Sequence, residues 1–187
     1  MTNRFDRLAT PLPGLSVLIP RLLGDARGSL ERLYCESELA EMLAGRRIVQ
    51  VNRTVTRQKG TVRGLHFQYP PHAETKIVTC LRGAVFDVAV DLRAGSLSQF
   101  AWHGRRLDPT NREMMVIPEG FAHGFQTLTD DCELLYFHTA PYVPGSEGGL
   151  NACDPRIGIA WPEPLTLRSD RDAALPLSGE GFGGILV

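Results

Sequence analysis

Lys76-Ile77-Val78-Thr79-Cys80-Leu81-Arg82-Gly83-Ala84-Val85-Phe86-Asp87-Val88-Ala89-Val90-Asp91-Leu92-Arg93 decides the fold. Two apolar runs flank a turn at Arg82-Gly83. In the second run Phe86, Val88, Val90 and Leu92 alternate with Val85, Asp87, Ala89 and Asp91. Alternation with a period of two marks a β-strand, here with one face in a core and the other carrying two carboxylates. Working outward, strands are expected over Gly14 to Ile19, Arg47 to Asn52, Thr61 to Phe67, Gln99 to Leu107, Glu113 to Ile117, Gly124 to Thr127 and Glu133 to Thr139. The one helical stretch is Glu36 to Ala44, where Leu39, Met42 and Leu43 recur at helical spacing before Gly45 closes the run. Many short strands separated by Gly, Pro and Asp turns predict an all-β sandwich or barrel, with the jelly roll as the expected plan. The tail from Trp161 holds Pro162, Pro164 and Pro176, too much proline for a long element, and is expected to wrap the barrel.

Composition narrows the function classes. At 187 residues, 43% of them hydrophobic and 22% charged, residues 1–187 fit one domain able to bury most of its apolar surface. Twenty basic against 21 acidic residues leave no overall field for a nucleic-acid backbone or an anionic membrane, so an anion site must be local. Met1 to Leu15 contains no apolar core of signal-peptide length, and no segment approaches the roughly 20 apolar residues of a membrane helix, which implies a cytoplasmic protein. Cys35, Cys80, Cys132 and Cys153 form no C-x-x-C pair and are expected to be free thiols.

Chemistry concentrates in Arg63-Gly64-Leu65-His66-Phe67-Gln68, which puts a cation, a flexible backbone point and an imidazole on one extended segment. Lys76 follows ten residues after His66, and His123 lies in Pro118-Glu119-Gly120-Phe121-Ala122-His123-Gly124-Phe125. These are parts for removing a proton beside a carbonyl: a base that titrates near neutrality, and cations to hold an enolate and an anionic substrate. Each has a plainer reading when taken alone. His66 would be a packed or surface histidine, Lys76 a surface charge, Tyr136 a core aromatic, and Arg63 and Arg27 solvated charges.

Four stretches tip the balance: VRGLHFQ from Val62, GAVFDVAVDLR from Gly83, IPEGFAHGF from Ile117 and IGIAWP from Ile157. In order and spacing they resemble the dTDP-4-dehydrorhamnose 3,5-epimerases, cupin enzymes that need no cofactor and act on nucleotide-linked 4-keto-6-deoxy sugars. The resemblance runs from about Asp25 to Pro176. It implies a cupin jelly-roll barrel, a nucleotide-diphosphate sugar as substrate, a homodimer, and a place in the making of rhamnose or a related deoxysugar. By the same resemblance His66 is the base, Lys76 faces the 4-keto oxygen, and Tyr136 donates a proton from the opposite face. Aligning Ser169 to Leu177 puts the carboxylate that orients His66 at Asp172, with Asp170 close enough to compete. Arg63 matches a pyrophosphate contact, suited to a planar guanidinium. Arg27 matches a second phosphate contact, often contributed across the dimer interface. Gln50, Asn52 and Glu147 match positions near the nucleotide or sugar, and Gln68 is grouped with the substrate-binding positions.

The segment around His123 also resembles the second metal motif of cupins. A metal cupin offers a His-x-His pair and then a glutamate, whereas this chain has His66-Phe67-Gln68, so no metal site is expected. His123 is instead read as a polar active-site residue, hydrogen-bonded to Asp87 across the barrel. Three departures bear on substrate choice. Ser29, Leu30 and Arg32 stand where aromatics and a glutamate are usual. Glu74 replaces a common glutamine and could pair with Lys76 or Arg82. Asn151-Ala152-Cys153 replaces a stretch that usually carries tryptophan. The rival readings are an epimerase that inverts only carbon 3 or carbon 5, a sugar-nucleotide-binding cupin without catalysis, and, last, a metal-dependent oxygenase.

Overall fold

The computed structural model describes residues 4–179 and 181–187. In chain order the elements are β1 (Phe5–Ala9), β2 (Ser16–Pro20), β3 (Leu23–Asp25), β4 (Gly28–Leu30), α1 (Glu36–Leu39), β5 (Gln50–Thr56), β6 (Val62–Gln68), β7 (Lys76–Arg82) and β8 (Val85–Asp91). They continue with β9 (Trp102–Leu107), β10 (Met114–Ile117), β11 (Phe121–Thr127), β12 (Cys132–His138), β13 (Glu147–Gly149) and α2 (Asp170–Ala173). One sheet has the order β1-β2-β10-β7-β12-β5, the other β13-β6-β11-β8-β9, and β3 pairs with β4 as a small hairpin. All these pairings are antiparallel. The result is the expected all-β jelly roll.

The turn at Arg82-Gly83 does more than reverse the chain. Its two strands do not pair with each other; β7 enters the middle of the first sheet and β8 the middle of the second. Both faces of β8 are buried, and the face that carries the two carboxylates is the one turned toward the other sheet. Val85 and Ala89 face the inter-sheet core with Val78, Met115, Phe125 and Leu134. Val88, Val90 and Leu92 face outward but are covered by the tail, through Ile157, Trp161, Phe182 and Ile185. The two carboxylates are fully buried and paired: Asp87 with His123, and Asp91 with Arg93, Ser96 and Ser98. Burial alone would raise the pKa of Asp91, but its hydrogen bonds from Arg93 and the two serines prevail and bring it to about 2.

The outer face of the first sheet is capped by the segment around α1, where Leu39 and Leu43 pack on Leu18, Ile77 and Phe137. The helix is shorter than its apolar spacing suggests. Cys35 supplies no side-chain cap, and Ala44 and Gly45 adopt positive φ, so the chain leaves Leu39 in turns while still burying Leu43. The fifth strand lies further along than expected because pairing with β12 sets its register, from Gln50 opposite His138 to Thr56 opposite Cys132. The tail does wrap the second sheet, and it also forms α2, whose Ser169 hydroxyl accepts from the Asp172 amide.

One glycine matters for the site. Gly64 has φ +115°, and a Cβ there would lie 2.7 Å from both Gly124 Cα and His123 O. Only a residue without a side chain lets β6 and β11 come this close, and these two strands carry His66 and His123.

Candidate active site

Between the sheets lies a cavity of about 480 Å³ lined by residues of β5, β6, β7, β11 and β12 and by the tail. His66 reaches it from β6 with its side chain 31% exposed. Its Nε2 is 2.8 Å from Asp172 Oδ1, while the other carboxylate oxygen accepts the Gly64 N–H at 3.0 Å. Burial opposes ionisation of Asp172, yet the hydrogen bonds from His66 and Gly64 together hold its pKa below the usual carboxylate range. An ionised acceptor at Nε2 fixes the proton on that nitrogen and leaves the Nδ1 lone pair as the basic position. Of the two carboxylates considered from the sequence, Asp172 is the one bonded to the imidazole.

Tyr136 stands on β12 opposite Asn52 of β5 and Val78 of β7. Its hydroxyl accepts a 3.4 Å hydrogen bond from Thr54, and burial pushes the phenol pKa up, so the group is held as an acid. Lys76, at the start of β7, lies opposite His138. Its ammonium is 3.1 Å from Glu74 Oε1, and the other Glu74 oxygen is 2.7 Å from His138 Nδ1. Glu74 thus pairs with Lys76 rather than with Arg82. The His123 to Asp87 contact expected from the sequence is present at 2.8 Å.

The remaining sequence candidates divide. Arg63 lines the cavity, donating through Nε to Thr56 Oγ1 at 3.0 Å. Gln50, Asn52 and Glu147 also line it. Gln68 borders it, but its amide is engaged by backbone: Nε2 donates to His72 O and Pro141 O, each at 3.1 Å, and Oε1 accepts from the Val143 N–H at 2.7 Å. Its amide thus ties down the loop after β12. Arg27 is not brought to the cavity of its own chain. It sits at the tip of the β3–β4 hairpin, 90% exposed, and pairs with Asp25. Arg32 turns to Glu38 at α1. Asn151, one of the departures from the family pattern, braces the turn after α2 through bonds to Ala173 O, Leu175 O and Arg168.

The sequence reading missed His138, Arg171 and Tyr142. His138 could have been found by period, since it lies two residues beyond Tyr136 on a strand and so shares its face. Arg171 adjoins Asp172 and forms a 2.5 Å ion pair with Glu147, which also accepts from the Tyr142 hydroxyl at 2.7 Å. Arg171 is brought to Glu147 only by the wrapping of the tail.

The family model for dTDP-4-dehydrorhamnose 3,5-epimerase matches residues 9–180. The chain belongs to this family. It is 42% identical to the dTDP-4-dehydrorhamnose 3,5-epimerase of Salmonella typhimurium, over 91% of this chain and 93% of that protein. It is 39% identical to the dTDP-4-dehydrorhamnose 3-epimerase of Streptomyces niveus, over 94% of this chain and 85% of that one. Among solved structures it is similar to dTDP-6-deoxy-D-glucose-3,5-epimerase from Legionella pneumophila, in complex with dTDP-4-keto-L-rhamnose. The TM-score is 0.87 at 37% identity, covering 92% of each chain. The protein is therefore an epimerase-type isomerase on a cupin fold. No helix among the described residues is long and apolar enough to cross a membrane.

Proposed function

We propose that the protein inverts carbons 3 and 5 of a nucleotide-linked 4-keto-6-deoxyhexose, taking dTDP-4-dehydro-6-deoxyglucose to dTDP-4-dehydrorhamnose in the cytoplasm. The observation that carries the reading is the 2.8 Å bond between His66 and Asp172 in the same cavity as Lys76 and Tyr136. His66 Nδ1 takes the proton from the carbon beside the ketone, and Asp172 stabilises the imidazolium that forms. The electron pair moves onto the ketone oxygen, where the Lys76 ammonium opposes the developing charge. Each ~1.4 kcal/mol gained there selectively is about tenfold in rate. Tyr136 returns a proton to the opposite face, and that return inverts the centre. Arg63 holds the diphosphate.

The test is proton NMR of the protein with dTDP-4-keto-6-deoxyglucose in heavy water. Deuterium is expected at both carbons. Label at one carbon alone would select the narrower 3-epimerase activity under which the Streptomyces niveus relative is named. No label would remove the catalytic reading.

The same reading makes the working unit a homodimer. Strand β5 lies at a sheet edge with Val51 and Val55 exposed, and the β3–β4 hairpin exposes Leu23 and Leu30. An apolar edge of this kind invites a second copy, and a second copy would bring Arg27 to its partner's cavity. Val51→Asp is expected to sediment as a monomer and to raise KM about tenfold, as loss of a charge-assisted phosphate contact requires. A monomer with unchanged KM would remove Arg27 from the site.

A further inference from the structure

The group around Lys76 is built more elaborately than enolate stabilisation requires. Lys76, Glu74 and His138 keep only 13%, 8% and 11% of their side chains exposed and form a chain of contacts at 3.1 and 2.7 Å. A carboxylate this close in a poorly solvated site offsets much of the field a lysine sends to a third group. Yet the field of Lys76 is what the enolate needs. Glu74 is held ionised: burial opposes its charge, but His138 and Lys76 together outweigh that and lower its pKa.

His138 completes the arrangement. Its Nδ1 faces Glu74 and its Nε2 lies 3.4 Å from the Asn52 amide nitrogen. An amide nitrogen can only donate, so this orientation suits a neutral imidazole that donates from Nδ1 and accepts at Nε2. With a second proton, Nε2 becomes a donor and the Asn52 amide must present its oxygen, which changes what it shows to the cavity. The charged groups beside His138 are Glu74 in the loop before β7 and Lys76 on it; Tyr136, stacked at 6.1 Å, is neutral, and β5 contributes the uncharged Gln50 and Asn52. Arg63, His66, His123, Glu147, Arg171 and Asp172 also line the cavity, but none has a hydrogen bond to His138.

We propose that Glu74 and His138 are positioning residues for Lys76, and that a proton on His138 draws the Glu74 charge away and frees the lysine for the ketone oxygen. With His138 neutral, the three side chains sum to zero charge; with it protonated, they sum to +1. The proposal rests on the reading of Lys76 as the enolate-stabilising cation. It gives turnover an upper limb that falls with pH as the three-residue group loses that extra charge.

Two measurements test it. In the substrate-free protein labelled at lysine, the Lys76 ¹⁵Nζ resonance is expected to move with the midpoint of the His138 imidazole, and to stop following it in Glu74→Gln. In the heavy-water assay, wild-type kcat is expected to fall about tenfold along the upper limb. His138→Gln keeps an N–H donor for Glu74 but cannot titrate, and both it and Glu74→Gln are expected to lose that limb with KM changed less than about threefold. A Lys76 resonance blind to His138 overturns the proposal, as does an upper limb that persists in both variants. Coupled resonances in a protein that exchanges no label would support the charge linkage and place the failure in the epimerase reading.

Discussion

His66→Ala is expected to lower both deuterium exchange and inversion by about 10²–10⁴-fold, the usual contribution of a positioned general base. The loss should be chemical rather than structural. His66 is partly exposed at the cavity, and without it Asp172 keeps its bonds to the Gly64 N–H and to the Ser169 cap. The fold, the cavity and Lys76 should therefore survive. Adding free imidazole should restore part of the exchange, because it can enter the vacated space and accept a proton there. Single-turnover NMR in heavy water checks both points, and a wild-type exchange rate in the variant would exclude His66 as the base.

Tyr136→Phe is expected to separate two events that wild type couples. The phenol is buried, kept protonated and held by one long hydrogen bond from Thr54, and in the proposed mechanism its O–H serves a carbanion on the face away from His66. Without it His66 still removes the proton, exchanges it with solvent and returns it to the same face. Deuterium should then enter with retention, while inversion slows by about 10²–10⁴-fold. Resolving labelled substrate from labelled product in one spectrum makes the comparison. Equal losses of exchange and inversion would show that the opposite-face donor lies elsewhere.

These assignments were unequally legible in the sequence. His66, Lys76, Tyr136 and His123 lie on strands, where a period of two and the fixed register of a buried face bring motif residues to one cavity. Asp172 is different. It meets His66 across 106 positions of chain, and no local pattern announces a contact of that range; only family resemblance pointed to it. The two strands about Gly83 were plain from their alternation, but their membership of opposite sheets was not, since a tight turn serves a ladder and a crossing equally well. The Asp87 partner on β11 was legible from the sequence, whereas the partners of Asp91 were not, because they come from Arg93 and the loop after β8. Arg27 stands outside the cavity of its own chain, at an exposed hairpin tip whose position no sequence pattern specifies.

The support of the imidazole has a consequence for how the molecule is put together. Neither sheet needs Asp172 for its ladders, and the core between them closes on side chains that precede residue 140. The tail that delivers the carboxylate is secured separately, by Asn151 and by the apolar cover over β8. Architecture and competence therefore belong to different parts of the chain. The barrel is a finished container whose reactive group stays unaimed until its final wrapping is fastened.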